Sequence, residues 1–87
     1  MWYTYSMENT TALNGTLCVT NWTQEGQILN VIEIVFNDTE KALWKQAASY
    51  VEEYRSYGLL PIVQFKDNRG MRQLQISDSD IDMIKLM

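Results

Sequence analysis

The segment from Asn37 to Gly58 constrains the fold most, because it is the one long stretch of the chain with a helical hydrophobic period. Its start, Asn37-Asp38-Thr39-Glu40, resembles a capping box in which Asn37 caps the first turn and Glu40 reaches back to the cap. Gly58 is a typical C-terminal stop. We therefore expect one helix over residues 37–58 to organise the domain.

One half of this helix is apolar. At about 100° per residue, that half carries Leu43, Trp44, Ala47, Ala48, Tyr50, Val51, Tyr54 and Tyr57. A helix that packs on a sheet needs an apolar stripe of about 100°, so this helix has apolar surface to spare. The surplus is either Trp44 with Ala48 on one flank or Tyr50 with Tyr57 on the other. Loops or an N-terminal strand cover it, or it is free to bind.

Three segments before the helix alternate like β-strands, namely Trp2–Met7, Thr16–Trp22 and Gln27–Phe36. Residues 8–15 are polar, and Asn14-Gly15 predicts a turn among them. The second and third strands form a hairpin around Glu25-Gly26.

The register of that hairpin follows from which side chains it buries. Leu17 opposite Ile34 and Val19 opposite Ile32 give, with Phe36, an apolar inner face for the helix. The same register places three pairs on the outer face: Trp22 with Leu29, Thr20 with Val31, and Cys18 with Glu33. That outer face is unusually apolar for one in water.

A second hairpin follows the helix, with strands Leu60–Lys66 and Met71–Ile76 around a turn at residues 67–70. The preferred register has three pairs: Lys66 with Met71, Val63 with Leu74, and Pro61 with Ile76. It leaves Ile62, Gln64, Gln73 and Gln75 outside, so this part of the outer face is mostly polar. Pro61 indicates an edge strand or the start of a strand.

The C-terminal residues 78–87 predict a short capped helix in which Ile81, Ile84 and either Leu86 or Met87 fold back on the core. The whole chain, residues 1–87, is then one α+β domain with the order β-β-β-α-β-β-α. Its antiparallel sheet has four to five strands, one long helix packs on one face, and the short helix follows.

Charge narrows the possible partners. The net charge is −4, and residues 1–40 contain five acidic residues and no Lys or Arg. Nucleic-acid binding depends on clustered Lys and Arg that release counterions from phosphates, so we expect no nucleic-acid partner. An acidic first half is compatible with docking on a basic protein surface.

Few residues could bind a metal ion or catalyse a reaction. With one cysteine, Cys18, and no histidine, ordinary zinc or iron sites and an internal disulfide are not expected. Asp78, Asp80 and Asp82 imitate the start of a calcium loop, but its sixth position is Met83 rather than glycine. Glu52 and Glu53 point apart on the helix. We expect no enzyme, no cofactor and no metal, although a subunit that completes another chain's active site stays open.

The N-terminal residues lack the basic and apolar regions of a signal peptide, and no apolar run is long enough to span a membrane. We therefore expect a cytoplasmic protein without a membrane partner. The four apparent N-glycosylation sequons, at Asn9, Asn14, Asn21 and Asn37, are then chance matches.

Aromatic residues are the main functional signal, because Trp and Tyr dominate the energetically important positions of protein interfaces. The candidate interface residues are Trp2, Trp22, Leu29, Val31 and Val35 as an apolar centre, Glu25 and Glu33 as an acidic rim, and Trp44 on the helix. The alternative is that the first strand covers this face and that Trp22 is half exposed at a hairpin end.

The size, acidic lean, lack of catalytic residues and strand–helix–strand layout resemble small phage or mobile-element proteins that block a host enzyme or defence complex. This resemblance implies an intracellular inhibitor or adaptor that binds a protein and occludes its surface. The alternative is a self-assembling domain, such as a homodimer through the outer face, that binds a small molecule or forms part of a larger structure.

Overall fold

The computed structural model describes residues 12–86, which form six elements. These are β1 (Ala12–Trp22), β2 (Ile28–Thr39), α1 (Glu40–Ser56), β3 (Leu60–Asp67), β4 (Gly70–Leu74) and α2 (Asp78–Lys85). The strands make one antiparallel sheet in the order β2-β1-β3-β4. The predicted α+β class, with one long helix and a short C-terminal helix, is confirmed. The predicted strand Trp2–Met7 lies outside the described residues.

The predicted register of the first hairpin is confirmed except at its end. Leu17 lies opposite Ile34 and Val19 opposite Ile32, but the ladder shifts after Asn21, and Trp22 lies opposite Ile28 rather than Leu29. The shift follows from the loop, which is longer than two residues. The Thr23 N–H donates to the Gln27 carbonyl at 2.7 Å and closes a wider turn.

The predicted turn at Asn14-Gly15 is wrong, because β1 already begins at Ala12. Gly15 instead marks a close approach between strands. A Cβ atom there would lie 2.3 Å from the Lys66 carbonyl oxygen and 3.0 Å from the ring of Phe65. A glycine inside a strand often has this meaning.

The predicted cap of α1 at Asn37 is also wrong. Asn37 and Asp38 pair with Asn14 and Leu13 of β1, which keeps them extended. The cap is Thr39, whose hydroxyl accepts a hydrogen bond from the Ala42 N–H at 3.2 Å. The C-terminal stop at Gly58 is confirmed, since its φ of 82° is in the left-handed region that glycine favours.

The core lies between α1 and the inner face of the sheet. Phe65, Leu17, Leu43, Val19 and Val63 are fully buried there. The rings of Phe36 and Phe65 meet edge to face with centroids 6.0 Å apart. Burial of these apolar side chains is the main force that fixes the helix on the sheet.

The second hairpin has the predicted pairs of Lys66 with Met71 and Val63 with Leu74. The predicted pair of Pro61 with Ile76 is wrong, because β4 ends at Leu74. Pro61 lies opposite Asn21 of β1 instead. Pro61 therefore lies near the start of β3, beyond the point where the pairing of β3 with β4 ends. No β4 residue there requires the backbone N–H that proline lacks.

Helix α2 packs on one flank of α1. The Ser77 hydroxyl and the Asp80 carboxylate form a capping box, and Ile81 and Ile84 are buried as predicted. Leu86 does not fold back on the core, since 88% of its side chain is exposed, and Met87 lies outside the described residues. No helix in the range 12–86 is long and apolar enough to cross a membrane.

Two exposed ion pairs join the helices. Arg55 binds Asp78 at 2.9 Å, and Lys85 binds Glu52 at 2.6 Å. Arg55 also donates to the Ile76 carbonyl at 2.8 Å. The Glu52 carboxylate raises the pKa of Lys85 above its ordinary value of 10.5 by accepting its hydrogen bond. Exposed pairs of this kind contribute little stability, so Ile81 and Ile84 hold α2 in place.

Candidate protein-binding face

The side of the sheet opposite α1, here called the outer face, is formed by alternate residues of all four strands. The ladders align its side chains in rows across the sheet, because directly paired residues of antiparallel strands point to the same side. Four rows are defined by the β1 residues Trp22, Thr20, Cys18 and Thr16.

The first two rows are apolar. Trp22 has Ile28 on one side and Leu60 on the other, and Thr20 lies between Val31 and Ile62. We call Trp22, Ile28, Leu29, Val31, Leu60 and Ile62 the outer patch. Trp22 is half-buried, while Leu29, Val31, Leu60 and Ile62 are 59, 51, 49 and 37% exposed. No element within residues 12–86 covers this patch.

The third row is polar and separates the outer patch from the far end of the face. It consists of Glu33, Cys18, Gln64 and Gln73. The Glu33 carboxylate is exposed on β2, and the Cys18 thiol is half-buried and free. Val35, which is 88% exposed, lies beyond this row with Thr16 and Lys66.

A shallow groove of about 780 Å³ crosses the third and fourth rows. Its lining includes Cys18, Glu33, Val35, Lys66 and Met71. Asp67 also lines it, so the groove places two carboxylates, one ammonium and one thiol around partly apolar walls.

The predicted interface residues fall into three groups. The ladders place Trp22, Val31, Glu33 and Val35 on the outer face, and Leu29 is exposed at the register shift between Ile28 and Asn30. Glu25 is exposed in the β1–β2 loop at the edge of the outer patch.

The other two predicted residues are not on this face. Trp44 belongs to α1, on the opposite side of the sheet, where it is half-buried against the core. Trp2 lies outside the described residues.

Leu60 was missed by sequence reasoning, and Ile62 was placed outside but not joined to the outer patch. Both lie beside β1 because β3 pairs with it, so that Leu60 is next to Trp22. The sequence carries the alternation that points Leu60 and Ile62 outward. The sequence has no local pattern that indicates whether β3 or β4 pairs with β1. Only the observed pairing of β3 with β1 brings Leu60 and Ile62 onto the same surface as Val31.

The surplus apolar surface of α1 lies on its tyrosine flank. Ala48 is buried and lines a cleft with Ile81 and Ile84, so α2 covers that side. On the other side, Tyr57 is 66% exposed, and Tyr50 is half-buried. Since Val51 and Arg55 of α1 share a second cleft with residues of β3 and β4, the tyrosine flank faces β1 and β2.

The three tyrosines of this flank contact one another in a row. The rings of Tyr50 and Tyr54 are stacked 6.3 Å apart, and Tyr54 and Tyr57 meet edge to face at 6.0 Å. Desolvation raises the pKa of the Tyr54 phenol above 10.0, and the neighbouring Glu53 carboxylate raises it further. The row presents aromatic surface with polar tips.

One polar side chain is buried on the same side of the sheet. Asn21 has no exposed surface, and its Nδ2 donates to Asn30 Oδ1 at 2.8 Å. Its Oδ1 accepts no hydrogen bond from the described part of the chain. Asn30 lies on β2, so this amide pair links the middle of the sheet to its edge.

Charge is divided between the two hairpins. Residues 12–39 carry Glu25, Glu33 and Asp38 and no Lys or Arg. In residues 60–76 the basic side chains are Lys66, Arg69 and Arg72, against the single carboxylate of Asp67. The β2 edge is therefore acidic and the β4 edge basic.

Arg69 neutralises the one carboxylate of the basic hairpin. Its backbone N–H donates to Asp67 at 2.9 Å and its guanidinium lies 3.2 Å from the same group. These contacts, the backbone hydrogen bond first, lower the pKa of Asp67 below 3.8. Arg72 lies over the ring of Phe65 at 5.4 Å on the inner face.

The acidic residues at the C-terminus have structural partners. Asp78 binds Arg55, and Asp80 accepts the Ser77 N–H at 3.0 Å, which lowers the pKa of Asp80 below 3.8. Within residues 12–86, no group of three or more His, Cys, Asp and Glu side chains is arranged to hold a metal ion.

No protein-family model, curated protein or solved structure matches this chain. Its function is therefore inferred from the geometry and charge of its own surfaces.

Proposed function

We propose that this chain is a protein-binding domain, an inhibitor or adaptor, that acts by covering a surface of its partner with the outer face of its sheet. The observation that supports the proposal is the outer patch, which spans three adjacent strands and is left open by the rest of the described chain. Contiguous apolar patches of this kind on small proteins mark interaction sites.

The arrangement has the composition of a protein interface. Trp22 is a half-buried aromatic anchor at the end of β1, flanked by Ile28 and Leu60, and Val31 and Ile62 continue the apolar surface in the next row. Charged and polar groups such as Glu25 and Glu33 lie at its border. A desolvated apolar centre with a polar rim is the usual anatomy of a specific interface.

The acidic border defines the partner further. Since β1 and β2 carry no basic side chain, a basic surface on the partner is steered toward this side of the domain. The resemblance to small phage and mobile-element proteins favours an inhibitor of a host enzyme or defence complex. The single cysteine, which permits no disulfide within the chain, fits a cytoplasmic site of action.

The test is the substitution Val31→Glu in the full chain. Val31 is half exposed, so the variant should fold, as circular dichroism and thermal unfolding will check. It places a charge in the outer patch and should abolish capture of the partner from a host lysate. Met83→Glu is the matched control, because Met83 is 67% exposed on α2, away from the outer face.

The mass of the free protein separates this function from self-assembly. A monomer whose capture of a stoichiometric partner is lost in Val31→Glu and kept in Met83→Glu supports the proposal. A wild-type oligomer that becomes a folded monomer in Val31→Glu would show that a second copy covers the outer patch. Equal capture by both variants would remove the outer patch from consideration.

A further inference from the structure

The free edge of β2 is the longest unpaired strand edge in the described part of the chain. β2 runs for 12 residues at one border of the sheet, and β1 pairs with only one of its sides. A strand edge presents a row of N–H and C=O groups that can pair with another extended chain.

The two edges of the sheet differ in how they are protected. Natural edge strands avoid unwanted pairing by being short, by carrying Lys or another charged residue, or by carrying Pro. β4 is such an edge, with 5 residues that include Arg72. β2 has no Lys, Arg or Pro, and its charged residues are Glu33 and Asp38. Its length and composition are those of an edge available for pairing.

β2 also leaves apolar surface uncovered on both faces. On the inner face Ile32 and Ile34 are half-buried, and the tyrosine flank of α1 lies on that side. On the outer face Leu29, Val31 and Val35 are exposed. A strand added beside β2 would place alternate side chains against each of these surfaces.

Charge selects among the possible occupants of this edge. A second copy of β2 would bring Glu33 and Asp38 against an identical acidic strand without a cation. Residues 1–11 contain Glu8 and no Lys or Arg, so they also offer no compensating charge. A segment with basic side chains complements the edge, and like charges opposite each other destabilise a strand pair.

We infer that the free edge of β2 binds an extended, basic segment of the partner protein by strand addition, with apolar and basic or polar residues alternating along that segment. This inference rests on the proposed function and specifies its geometry. Main-chain hydrogen bonds to β2 supply affinity, and the bound strand widens the outer face beside Leu29 and Val31.

The first test is amide hydrogen exchange of the full-length free protein, followed residue by residue by NMR. The amides of β2 should alternate between slow exchange, where the N–H donates to β1, and fast exchange, where it points to the free edge. Uniformly slow exchange along β2 in a monomer would mean that residues 1–11 occupy the edge. The same result in a dimer would mean a second copy, and either finding overturns the inference.

The second test uses a synthetic peptide of about ten residues, a common strand length, that alternates valine with lysine. Its binding should slow exchange at the free-edge amides of β2, whereas a peptide with glutamate in place of lysine should bind several-fold more weakly. Two N-methylated versions test main-chain pairing. Methylation along the edge that faces β2 should abolish binding, and methylation along the other edge should preserve it. Equal binding by the two versions would overturn strand addition.

Two variants with the same charge change complete the test. Glu33→Lys places a lysine on the edge and should weaken peptide binding several-fold, while Asp82→Lys, exposed on α2, should leave it unchanged. If Val31→Glu abolishes partner capture but these peptides do not bind β2, the proposed function stands and strand addition fails. If neither the outer patch nor the peptide shows binding, both fail.

Discussion

At the scale of single residues, Gly15 shows how little space the sheet leaves where β1 meets β3. It lies opposite Phe36, and the position of its missing Cβ is 2.3 Å from the Lys66 carbonyl oxygen. A backbone oxygen cannot rotate away as a side chain can. Even one added methyl group must therefore push β1 and β3 apart.

Gly15→Ala should accordingly lower the free energy of unfolding by about 2 kcal/mol, a typical cost of overpacking. In an unconstrained strand the same change would stabilise, because alanine restricts the unfolded chain. Urea denaturation measures the difference. Asn14→Ala is the control, since Asn14 is exposed beside Gly15. If Gly15→Ala is as stable as the wild type, β1 and β3 have room for a methyl group at this position.

The Asn21 and Asn30 pair predicts opposite effects for its two members. Asn30→Ala removes the acceptor of the buried Asn21 Nδ2 and should destabilise the domain by about 1–3 kcal/mol, the cost of a buried unsatisfied donor. Asn21→Leu removes an amide whose Oδ1 is already unpaired within residues 12–86.

Asn21→Leu should therefore raise the free energy of unfolding by about 1 kcal/mol, since it replaces a buried polar group by an apolar one of similar size. Both changes are read by urea denaturation. A loss of stability in Asn21→Leu as large as that in Asn30→Ala would mean that the Asn21 carbonyl has a partner.

At the scale of elements, the start of α2 couples stability to pH. The Asp80 carboxylate accepts the Ser77 N–H, and this hydrogen bond lowers its pKa below 3.8 in the folded protein. The unfolded chain therefore takes up this proton first as the pH falls. The stabilising contribution is complete above the ordinary pKa and is lost as the pH falls through the folded pKa.

Asp80→Asn should thus reduce the dependence of the unfolding free energy on pH between about pH 5 and pH 3, because the amide cannot titrate. Ser77→Ala should instead lower stability by about 1 kcal/mol at neutral pH, the usual cost of a lost cap. It should keep most of the pH dependence, since the backbone N–H at residue 77 remains. Urea titrations at several pH values compare them. Identical slopes in Asp80→Asn and the wild type would rule out this role of the carboxylate.

Elements also show what could be predicted from the sequence and what could not. Periodicity placed α1 over the inner face and gave the pairs of Leu17 with Ile34 and Val63 with Leu74, because burial decides which side of each strand faces inward. Local patterns could not choose the cap. Asn37, Asp38 and Thr39 are all good cap residues. Because Asn37 and Asp38 pair with β1 and stay extended, the helix begins after Thr39, which becomes the cap.

At the scale of the whole molecule, the strand order is what makes the candidate site. Local alternation indicates that Ile62 points outward, but only the pairing of β3 with β1 brings it within the row of Val31 and Thr20. This pairing joins residues far apart in sequence and depends on how α1 crosses the sheet. The prediction of an apolar outer face was therefore correct for β2 and incomplete for β3.

The division of charge is a further property of the whole domain. The acidic β1–β2 hairpin and the basic β3–β4 hairpin lie at opposite borders of one sheet. A basic partner should therefore approach from the β2 side, and its association rate should fall with rising ionic strength. Stopped-flow association with the purified partner measures this rate at several salt concentrations. Glu33→Lys should reduce the dependence of the rate on ionic strength more than Asp82→Lys does.

The most direct test of the account is quantitative partner capture by Ile62→Glu, because this residue enters the outer patch only through the strand order. The wild type and Met83→Glu should retain a stoichiometric partner. Ile62→Glu should remain folded and lose affinity by about tenfold or more, as expected for a charge buried in an interface centre. Capture by Ile62→Glu equal to that by Met83→Glu would show that the partner does not bind the outer face.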